Sequence, residues 1–160
     1  MADRVALVVD DAPANREFLE RLLGQAQFTI RSAANGQAAL AVIADLDELP
    51  LALVDMKLPD MRGVQLTVEL RRRFPCCYIV IATMYDDRTT IEEAFASGCN
   101  IYLVKPYGFM ELFQRLMKGE IQPEPTRIDT PVRYRANPPV QSSITFIYPI
   151  MNFTLQVMAV

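Results

Sequence analysis

The sequence predicts an α/β protein with a doubly wound, five-stranded parallel sheet and five helices, followed by a proline-rich tail. Short, continuous apolar runs such as Val5–Val9 predict strands buried on both faces, as in a parallel sheet covered by helices. Segments with the helical spacing of apolar residues lie between these runs, and this alternation favours right-handed β-α-β units. The 160 residues, of which 51% are hydrophobic and 22% charged, suit one domain with a sizeable core.

Each predicted strand is a short apolar run. The first, third and fourth are Val5–Val9, Leu51–Val54 and Tyr78–Ala82, which contain no charged residue. Thr29–Arg31 and Ile101–Val104 are shorter segments of the same kind, and their assignment depends on the rhythm around them. In open sheets of this type, ligands bind at the carboxyl ends of the strands.

The predicted helices follow the strands in turn. The first begins at Pro13 and ends at Gly24. Asp86 is a candidate N-cap of the fourth helix, which Gly98 ends. Residues 37–45 are rich in alanine and helical by propensity, whereas residues 64–70 alternate with period two and are interpreted as a helix because of the elements around them. The predicted apolar faces comprise Phe18, Leu19, Leu22 and Leu23 in the first helix, Ile91, Ala94 and Phe95 in the fourth, and Met110, Phe113, Leu116 and Met117 in the fifth.

Residues 1–120 are predicted to form the domain, and residues 121–160 a proline-rich linker and an apolar tail of unknown role. Six of the eleven prolines fall in this tail, and no charged residue follows Arg135. We interpret residues 136–160 first as an added β segment that pairs with a sheet edge or a second protomer, next as a disordered extension, and last as a weak membrane anchor.

The composition excludes several classes of function. The chain contains no histidine, which excludes Ser-His or Cys-His catalysis, His-ligated zinc and a phosphohistidine carried by this chain. A net charge of -3 lacks the basic footprint of direct nucleic-acid binding. Three cysteines, interpreted as small buried hydrophobic residues, do not make a disulfide framework, and the first residues lack a secretory signal. We therefore expect a cytoplasmic protein.

Polar residues follow four of the predicted strands. Asp10 and Asp11 come after the first strand, Asp55 after the third, Thr83 after the fourth and Lys105 after the fifth. Clustered carboxylates repel one another unless a cation is present, and an all-oxygen site suits Mg²⁺. A carboxylate can carry a covalent acyl phosphate, which a metal, a lysine and a hydroxyl would stabilise. The residues predict a phosphoryl-accepting site that needs no histidine of its own.

At these positions the chain resembles the response-regulator receiver domains of two-component signalling. The resemblance covers residues 3 to about 119 and depends on the order and spacing of its motifs. It implies a flavodoxin-like sheet with strand order 2-1-3-4-5. The motifs are Val8-Val9-Asp10-Asp11, Asp55-Met56-Lys57-Leu58-Pro59-Asp60-Met61-Arg62-Gly63, Thr83, and Tyr102-Leu103-Val104-Lys105-Pro106.

The resemblance implies a role for each acidic residue. Asp55 would be the phosphoacceptor. Mg²⁺ would bind Asp11, Asp55 and the backbone carbonyl of Lys57 directly, and Asp10 largely through water. The expected donor is a sensor histidine kinase or a histidine phosphotransfer protein. The chain would assist its own phosphorylation and dephosphorylation but would not otherwise be an enzyme.

The resemblance also assigns the residues around the phosphoryl group. Thr83 would hydrogen-bond a phosphoryl oxygen, and Lys105 would pair with it. Tyr102 would be the aromatic switch that turns inward when Thr83 moves, and Pro106 would shape the following loop. The positions that would tune the phosphoryl lifetime or crowd its pocket are Lys57, Met84 and Tyr85.

The output of the domain stays open. The tail is too short for a DNA-binding or cyclase domain, so the receiver either acts alone through protein contacts or has been separated from a larger chain. We expect an unknown downstream protein target, no direct nucleic-acid binding and, as one alternative, a homodimer. A phosphate-independent pseudo-receiver is the second hypothesis, motivated by Met84 at a position that is usually small. An Asp-nucleophile phosphatase is the third, and Lys57 stands where its second acid would be.

Structural interpretations of the same residues are also open. Asp10 and Asp11 could be a helix cap, Asp55 a turn residue at a strand end, and Tyr102 a core residue. Lys105 could be a solvated loop lysine. We interpret the arginine run of residues 71–73 as a solvated helix end that offsets the helix dipole.

Overall fold

The computed structural model describes residues 4–85, 87–105 and 107–119. Along these residues, five strands alternate with five helices. The predictions for Asp86, Pro106 and the tail of residues 121–160 lie outside the described residues. The strands are β1 (Val5–Val9), β2 (Thr29–Ala33), β3 (Leu51–Asp55), β4 (Tyr78–Thr83) and β5 (Ile101–Val104), and the helices are α1 (Pro13–Gln25), α2 (Gly36–Val42), α3 (Gly63–Arg73), α4 (Arg88–Ala96) and α5 (Tyr107–Met117).

The strands form one parallel sheet in the order β2-β1-β3-β4-β5, so the predicted topology is confirmed. β3 and β4 each extend one residue further than predicted and include Asp55 and Thr83. Asp55 is in register with Ala82, and Thr83 with Val104. Because pairing in the sheet fixes the backbone there, the sheet itself positions these two side chains.

The core consists of apolar side chains on both faces of the sheet, beneath the helices. Every residue of β1 is buried, and so are the first four residues of β3. This burial confirms that the uncharged runs are strands covered on both faces. Within the described residues, none of the helices combines the length and the apolar character needed to cross a membrane. The largest fully buried side chains include Leu7, Leu23, Ile43, Leu53, Leu66, Leu70, Ile79 and Ile81.

The segment that alternates with period two forms α3, as interpreted from its surroundings. Val64, Thr67 and Leu70 are buried at helical spacing. Val68, an apolar member of the alternating pattern, is 50% exposed, because a helix cannot turn every second residue to one face.

Several helix ends differ from the prediction. α1 continues through Gly24, and the positive φ beyond its end, 64°, belongs to Gln27. α2 ends at Val42 and not at residue 45. The N-cap of α4 is Asp87, and its carboxylate accepts a backbone N–H of the first turn at 2.9 Å. The side chain of a cap residue must reach such an N–H, and Asp87 does so from the position directly before Arg88.

The apolar face predicted for α5 is only partly correct. Leu116 is buried as predicted, but the other buried residues of this face are Phe109 and Leu112. Met110 and Met117 were predicted on the apolar face and are 49% and 55% exposed. Two overlapping apolar stripes run along α5 in the sequence, and contact with the sheet selects the one that begins at Phe109.

The cysteines do not all lie in the core. Cys77 and Cys99 are buried, but Cys76 is exposed, so the prediction for Cys76 was wrong. Burial raises the pKa of the Cys77 thiol to about 12. Because the thiolate is the reactive form, Cys77 is a neutral, unreactive thiol near pH 7.

The arginine run of residues 71–73 was predicted as a solvated helix end, and this is wrong for Arg71. Its guanidinium donates to the carbonyl oxygens of Gly98, Pro75 and Cys77, each at 2.7 Å. It also donates to Oδ1 of Asn100 at 2.8 Å. These acceptors precede β4 and β5, so Arg71 binds together the loops at the amino edge of the sheet.

Candidate functional site

Three carboxylates meet at the carboxyl edge of the sheet. Asp10 and Asp11 follow β1 and Asp55 ends β3, and these strands are neighbours in register. One oxygen from each carboxylate lies within 4.8 Å of the other two. Asp10 is 2% exposed, whereas Asp11 is exposed. A set of carboxylate oxygens suits a hard divalent cation such as Mg²⁺, which would offset their mutual repulsion.

Lys105 lies between two of these carboxylates. Its Nζ is 2.6 Å from Oδ2 of Asp10 and 3.4 Å from Oδ1 of Asp55, and its side chain is 9% exposed. Its backbone N–H donates to the carbonyl oxygen of Thr83 at 2.8 Å, which continues the β4–β5 pairing beyond the strands. Lys105 is therefore a held, buried cation and not a solvated loop lysine.

The first turn of α1 holds Asp10 from the other side. Oδ1 of Asp10 accepts the backbone N–H of Ala12 at 2.9 Å. The side-chain amide of Asn15 donates to both Asp10 oxygens, at 3.3 and 3.2 Å. Arg16 donates to the backbone carbonyls of Asp10 and Asp11 at 2.7 and 3.2 Å. The loop that carries the acidic pair is thus fixed by both its side chain and its backbone.

Thr83 and Tyr102 are joined through one backbone residue. The Thr83 hydroxyl is buried and accepts the backbone N–H of Tyr85 at 3.3 Å. The Tyr102 hydroxyl donates to the carbonyl oxygen of Tyr85 at 2.8 Å, and Tyr102 is 2% exposed. The loop after β4 therefore links the predicted switch residues, with the aromatic ring turned inward.

The loop after β3 passes very close to the end of that strand. Gly63 donates its N–H to the carbonyl oxygen of Met56 at 2.7 Å. A Cβ on Gly63 would collide with the Asp55 carbonyl oxygen and would lie 2.8 Å from Cα of Met56. Only glycine fits this close approach. The backbones of Lys57 and Arg62 form an isolated antiparallel β-bridge across the loop. This pairing fixes the backbone of Lys57, whose carbonyl was predicted to bind the metal.

A family model described as the response regulator receiver domain matches residues 6–117. The chain belongs to this family. It is 36% identical over 106 residues to the response regulator protein PilR of Pseudomonas aeruginosa, and 33% identical over 112 residues to the transcriptional regulatory protein SrrA of Staphylococcus aureus. These matches cover 66% and 69% of this chain but only 24% and 45% of the relatives. The chain therefore spans less than half the length of either relative.

Solved structures give the same result for the fold. A CheY-like receiver domain protein from Methanospirillum hungatei is similar with a TM-score of 0.67 and 25% identity, over 74% of this chain and 94% of that one. The chemotaxis protein CheY4 of Vibrio cholerae has a TM-score of 0.64 and 25% identity, over 72% and 99%. The five-stranded, CheY-like fold of this response regulator is therefore established.

The electrostatics of the receiver site centre on Asp55. Burial raises the pKa of its carboxyl above the ordinary value of 3.8, Lys105 acts in the opposite direction, and the neighbouring Asp10 raises it again. Receiver domains typically bind Mg²⁺ at an acidic pocket, and Asp10, Asp11 and Asp55 form such a pocket here. A bound cation would favour the ionised form of Asp55 and lower its pKa.

An open cleft of about 980 Å³ lies over the receiver site. Lys57, Met84 and Tyr85, predicted to tune the phosphoryl lifetime, all line it. Met84 is 70% exposed, so its side chain stands at the mouth of the cleft. Phe18, predicted on the apolar face of α1, is 45% exposed and also lines the cleft, where its ring meets Phe109 edge to face.

The sequence did not reveal three residues that hold the receiver site together. No role was predicted for Asn15 and Arg16, although two polar residues directly after Asp-Asp-Ala-Pro-Ala are a usable signal. Asp60 was named only as a member of the motif that begins at Asp55, without a role of its own. Its two oxygens accept the backbone N–H groups of Gly36 and Gln37 at 2.8 and 2.9 Å, which ties the loop after β3 to α2.

Proposed function

We propose that this response regulator accepts a phosphoryl group on Asp55 from a phosphohistidine of a sensor histidine kinase or a histidine phosphotransfer protein. The observation that carries this proposal is the buried Lys105, 2.6 Å from Asp10 and 3.4 Å from Asp55 at the carboxyl edge of the sheet. A cation placed beside a carboxylate in this way can pair with a phosphoryl group formed on that carboxylate. The membership in the receiver family supports the same chemistry.

The covalent step involves the Asp55 carboxylate and the phosphohistidine of the donor, with Mg²⁺ bound at the site. A carboxylate oxygen of Asp55 attacks phosphorus, the phosphorus–nitrogen bond of the donor breaks, and the leaving imidazole nitrogen takes up a proton from water. Lys105 and the Thr83 hydroxyl stabilise the charge on the phosphoryl oxygens. Because this chain contains no histidine, the donor histidine belongs to a partner.

Asp11, Asp55 and the backbone carbonyl of Lys57 are the groups that would hold Mg²⁺, with Asp10 acting through water. Bound there, the ion would neutralise charge between Asp55 and the incoming phosphate. The proximity of the three carboxylates supports this assignment.

The switch is proposed to run through Tyr85. When Thr83 donates its hydroxyl to the phosphoryl group and moves toward it, the hydrogen bond from the Tyr85 N–H is strained or lost. The Tyr85 carbonyl is bonded to the Tyr102 hydroxyl, so a shift of this loop changes the surroundings of Tyr102 and of α4. Phosphorylation would thereby bias a two-state equilibrium at this surface.

Acetyl phosphate tests the assignment directly. Incubation of the full chain with acetyl phosphate and Mg²⁺, followed by intact mass, should give a single phosphate adduct that is absent without Mg²⁺. Asp55→Asn should give none, whereas the control Asp47→Asn, at an exposed position outside the site, should give the wild-type yield. An adduct on Asp55→Asn, or none on the wild type, would exclude Asp55 as the phosphoacceptor.

The pseudo-receiver hypothesis was motivated by Met84, at a position that is usually small, where it could crowd the phosphoryl pocket. Its side chain is 70% exposed, so the structure gives that hypothesis no support. The phosphatase hypothesis needs a second acid two residues after Asp55, and Lys57 occupies that position.

We further propose a cytoplasmic protein that acts on a downstream protein target without direct contact to nucleic acid. The three free cysteines and the net charge of -3 support this. Size-exclusion chromatography of the full chain, with and without acetyl phosphate, tests whether phosphorylation produces a homodimer. A single monomeric species in both conditions would contradict a phosphorylation-dependent dimer.

A further inference from the structure

We propose that Asn15 is a positioning residue that fixes Asp10 as the counter-ion of Lys105 and leaves Asp11 to serve the cation. Asn15 would thereby account for the different roles proposed for these two adjacent acids. This inference rests on the proposed function, because its kinetic consequence is read through phosphorylation of Asp55.

Both carboxylate oxygens of Asp10 accept hydrogen bonds from neighbouring donors. Oδ1 accepts from the backbone of Ala12, Oδ2 lies 2.6 Å from Lys105, and the Asn15 amide nitrogen is 3.3 and 3.2 Å from the two oxygens. A carboxylate can only accept hydrogen bonds, so the nitrogen of Asn15, and not its oxygen, faces Asp10.

This arrangement separates the two acids. Asp10 is 2% exposed and would have to give up donors to turn toward a cation. Asp11 is exposed at the cleft, and Arg16 holds its backbone carbonyl at 3.2 Å. The side chain of Asn15 is neutral, so it donates to Asp10 without adding charge beside the cation site. Fixing Asp10 also fixes Lys105, whose ammonium must be in place when the phosphoryl group arrives.

A purely helical role for Asn15 predicts the opposite result. Asn15 is the third residue of α1, which begins at Pro13. Alanine has a higher helix propensity than asparagine, and an aspartate in the first turn interacts favourably with the helix dipole. If Asn15 served only the helix, Asn15→Ala and Asn15→Asp would leave the protein as active as the wild type, and at least as stable. If it positions Asp10, Asn15→Ala removes the donor, and Asn15→Asp also places a repelling charge beside Asp10.

The experiment compares four proteins at saturating Mg²⁺ and acetyl phosphate: wild type, Asn15→Ala, Asn15→Asp and the control Ala14→Asp. Ala14 is exposed on the same helical turn, so the control adds the same charge without touching Asp10. We expect the maximal phosphorylation rate to fall about fivefold in Asn15→Ala, on the scale of one hydrogen bond, and further in Asn15→Asp. Ala14→Asp should stay within about twofold of the wild type, because its charge is screened by salt. The thermal midpoints should not fall in parallel with the rates.

A second readout needs neither metal nor phosphate. In the metal-free protein, NMR of the Lys105 ammonium should show slow proton exchange in the wild type and in Ala14→Asp, and fast exchange in Asn15→Asp. Wild-type rates in both Asn15 variants, or equal losses in Asn15→Asp and Ala14→Asp, would overturn the positioning role. If the wild type forms no adduct, the proposed function fails, and the ammonium signal alone then decides the role of Asn15.

Discussion

Two cations that are largely withdrawn from solvent hold opposite edges of the sheet, and they differ in their partners. Lys105, at the carboxyl edge, contacts the carboxylates of Asp10 and Asp55. Arg71, at the amino edge, donates mainly to backbone carbonyls, including that of Gly98 through both Nε and Nη2 at 3.1 and 2.7 Å. One cation therefore faces charged groups, and the other faces neutral groups of the main chain.

This difference indicates at which edge of the sheet the partners of the cation can be exchanged. A metal ion can compete with Lys105 for Asp55, and an anionic phosphoryl group can compete with the carboxylates for Lys105, because all of these groups are charged. Backbone carbonyls before β4 and β5 have no such second partner, and a planar guanidinium with five donors suits several of them at once. We therefore expect the amino edge to keep one arrangement and the carboxyl edge to exchange the partners of Asp55, while Asp10 stays with Lys105.

The largest effect is expected at the amino edge. Arg71→Met should lower the free energy of unfolding by about 3 kcal/mol, because it leaves several partly buried carbonyl oxygens without a donor. Urea denaturation of the full chain measures this. The matched control is Arg72→Met, whose side chain is 78% exposed and pairs with Glu69, and it should cost about 0.5 kcal/mol or less. Similar losses in the two variants would show that the carbonyl contacts of Arg71 do not stabilise the fold.

The next effect distinguishes an exchangeable cation from a fixed one. Lys105→Met leaves Asp10 and Asp55 without their counter-ion and should cost about 2 kcal/mol in the absence of Mg²⁺. Because a divalent cation can replace the missing charge, Mg²⁺ should restore most of that loss, as followed by thermal unfolding with and without the ion. Arg71→Met should gain from Mg²⁺ no more than the wild type gains. If Mg²⁺ stabilised Lys105→Met no more than the wild type, Lys105 and the cation would not share these carboxylates.

The same contrast explains which residues the sequence revealed. Asp55, Thr83 and Lys105 each follow an uninterrupted buried run, so a local pattern located them at the strand ends. Arg71 reaches Gly98 across 27 positions and Asp60 reaches Gly36 across 24, and no local pattern records such a pairing. Their roles follow from how the elements pack, which periodicity does not predict.

Helix faces show a second limit. Leu116 was predicted correctly on α5, but Phe109 and Met110 compete for adjacent apolar stripes, and only contact with the sheet decides between them. Cys76 and Cys77 have the same side chain, and one is exposed and the other buried. Where neighbouring positions have similar chemistry, composition does not indicate which side chain points into the core. The packing of the folded chain decides it.

A smaller effect concerns the switch proposed at the carboxyl edge. Tyr102→Phe removes the hydroxyl that donates to the Tyr85 carbonyl and should lower the free energy of unfolding by about 1 kcal/mol, the scale of one hydrogen bond. It should also weaken the response of α4 to phosphorylation, seen as smaller amide shifts in NMR. Tyr85→Phe is the control, because its side chain is 48% exposed and its backbone carbonyl is retained. If α4 of Tyr102→Phe responded to phosphorylation as fully as the wild type, the Tyr102 hydroxyl would have no part in the proposed switch.

The smallest effect concerns Asp60, an acid at the carboxyl edge that, like Arg71 at the amino edge, is bound by groups of the main chain. Two backbone N–H groups, from Gln37 and Gly36, lower the pKa of the Asp60 carboxyl below 3.8. A lowered pKa in the folded state means that the stabilisation is complete above 3.8 and is lost as the pH falls through the lowered pKa. The stability difference between the wild type and Asp60→Asn should therefore be constant near neutral pH and close in acid, as measured by urea denaturation at several pH values. Asp45→Asn, which removes an exposed pair with Arg31, should show a smaller difference throughout. A wild-type advantage that persisted unchanged below the lowered pKa would mean that the charge of Asp60 does not hold the loop after β3 to α2.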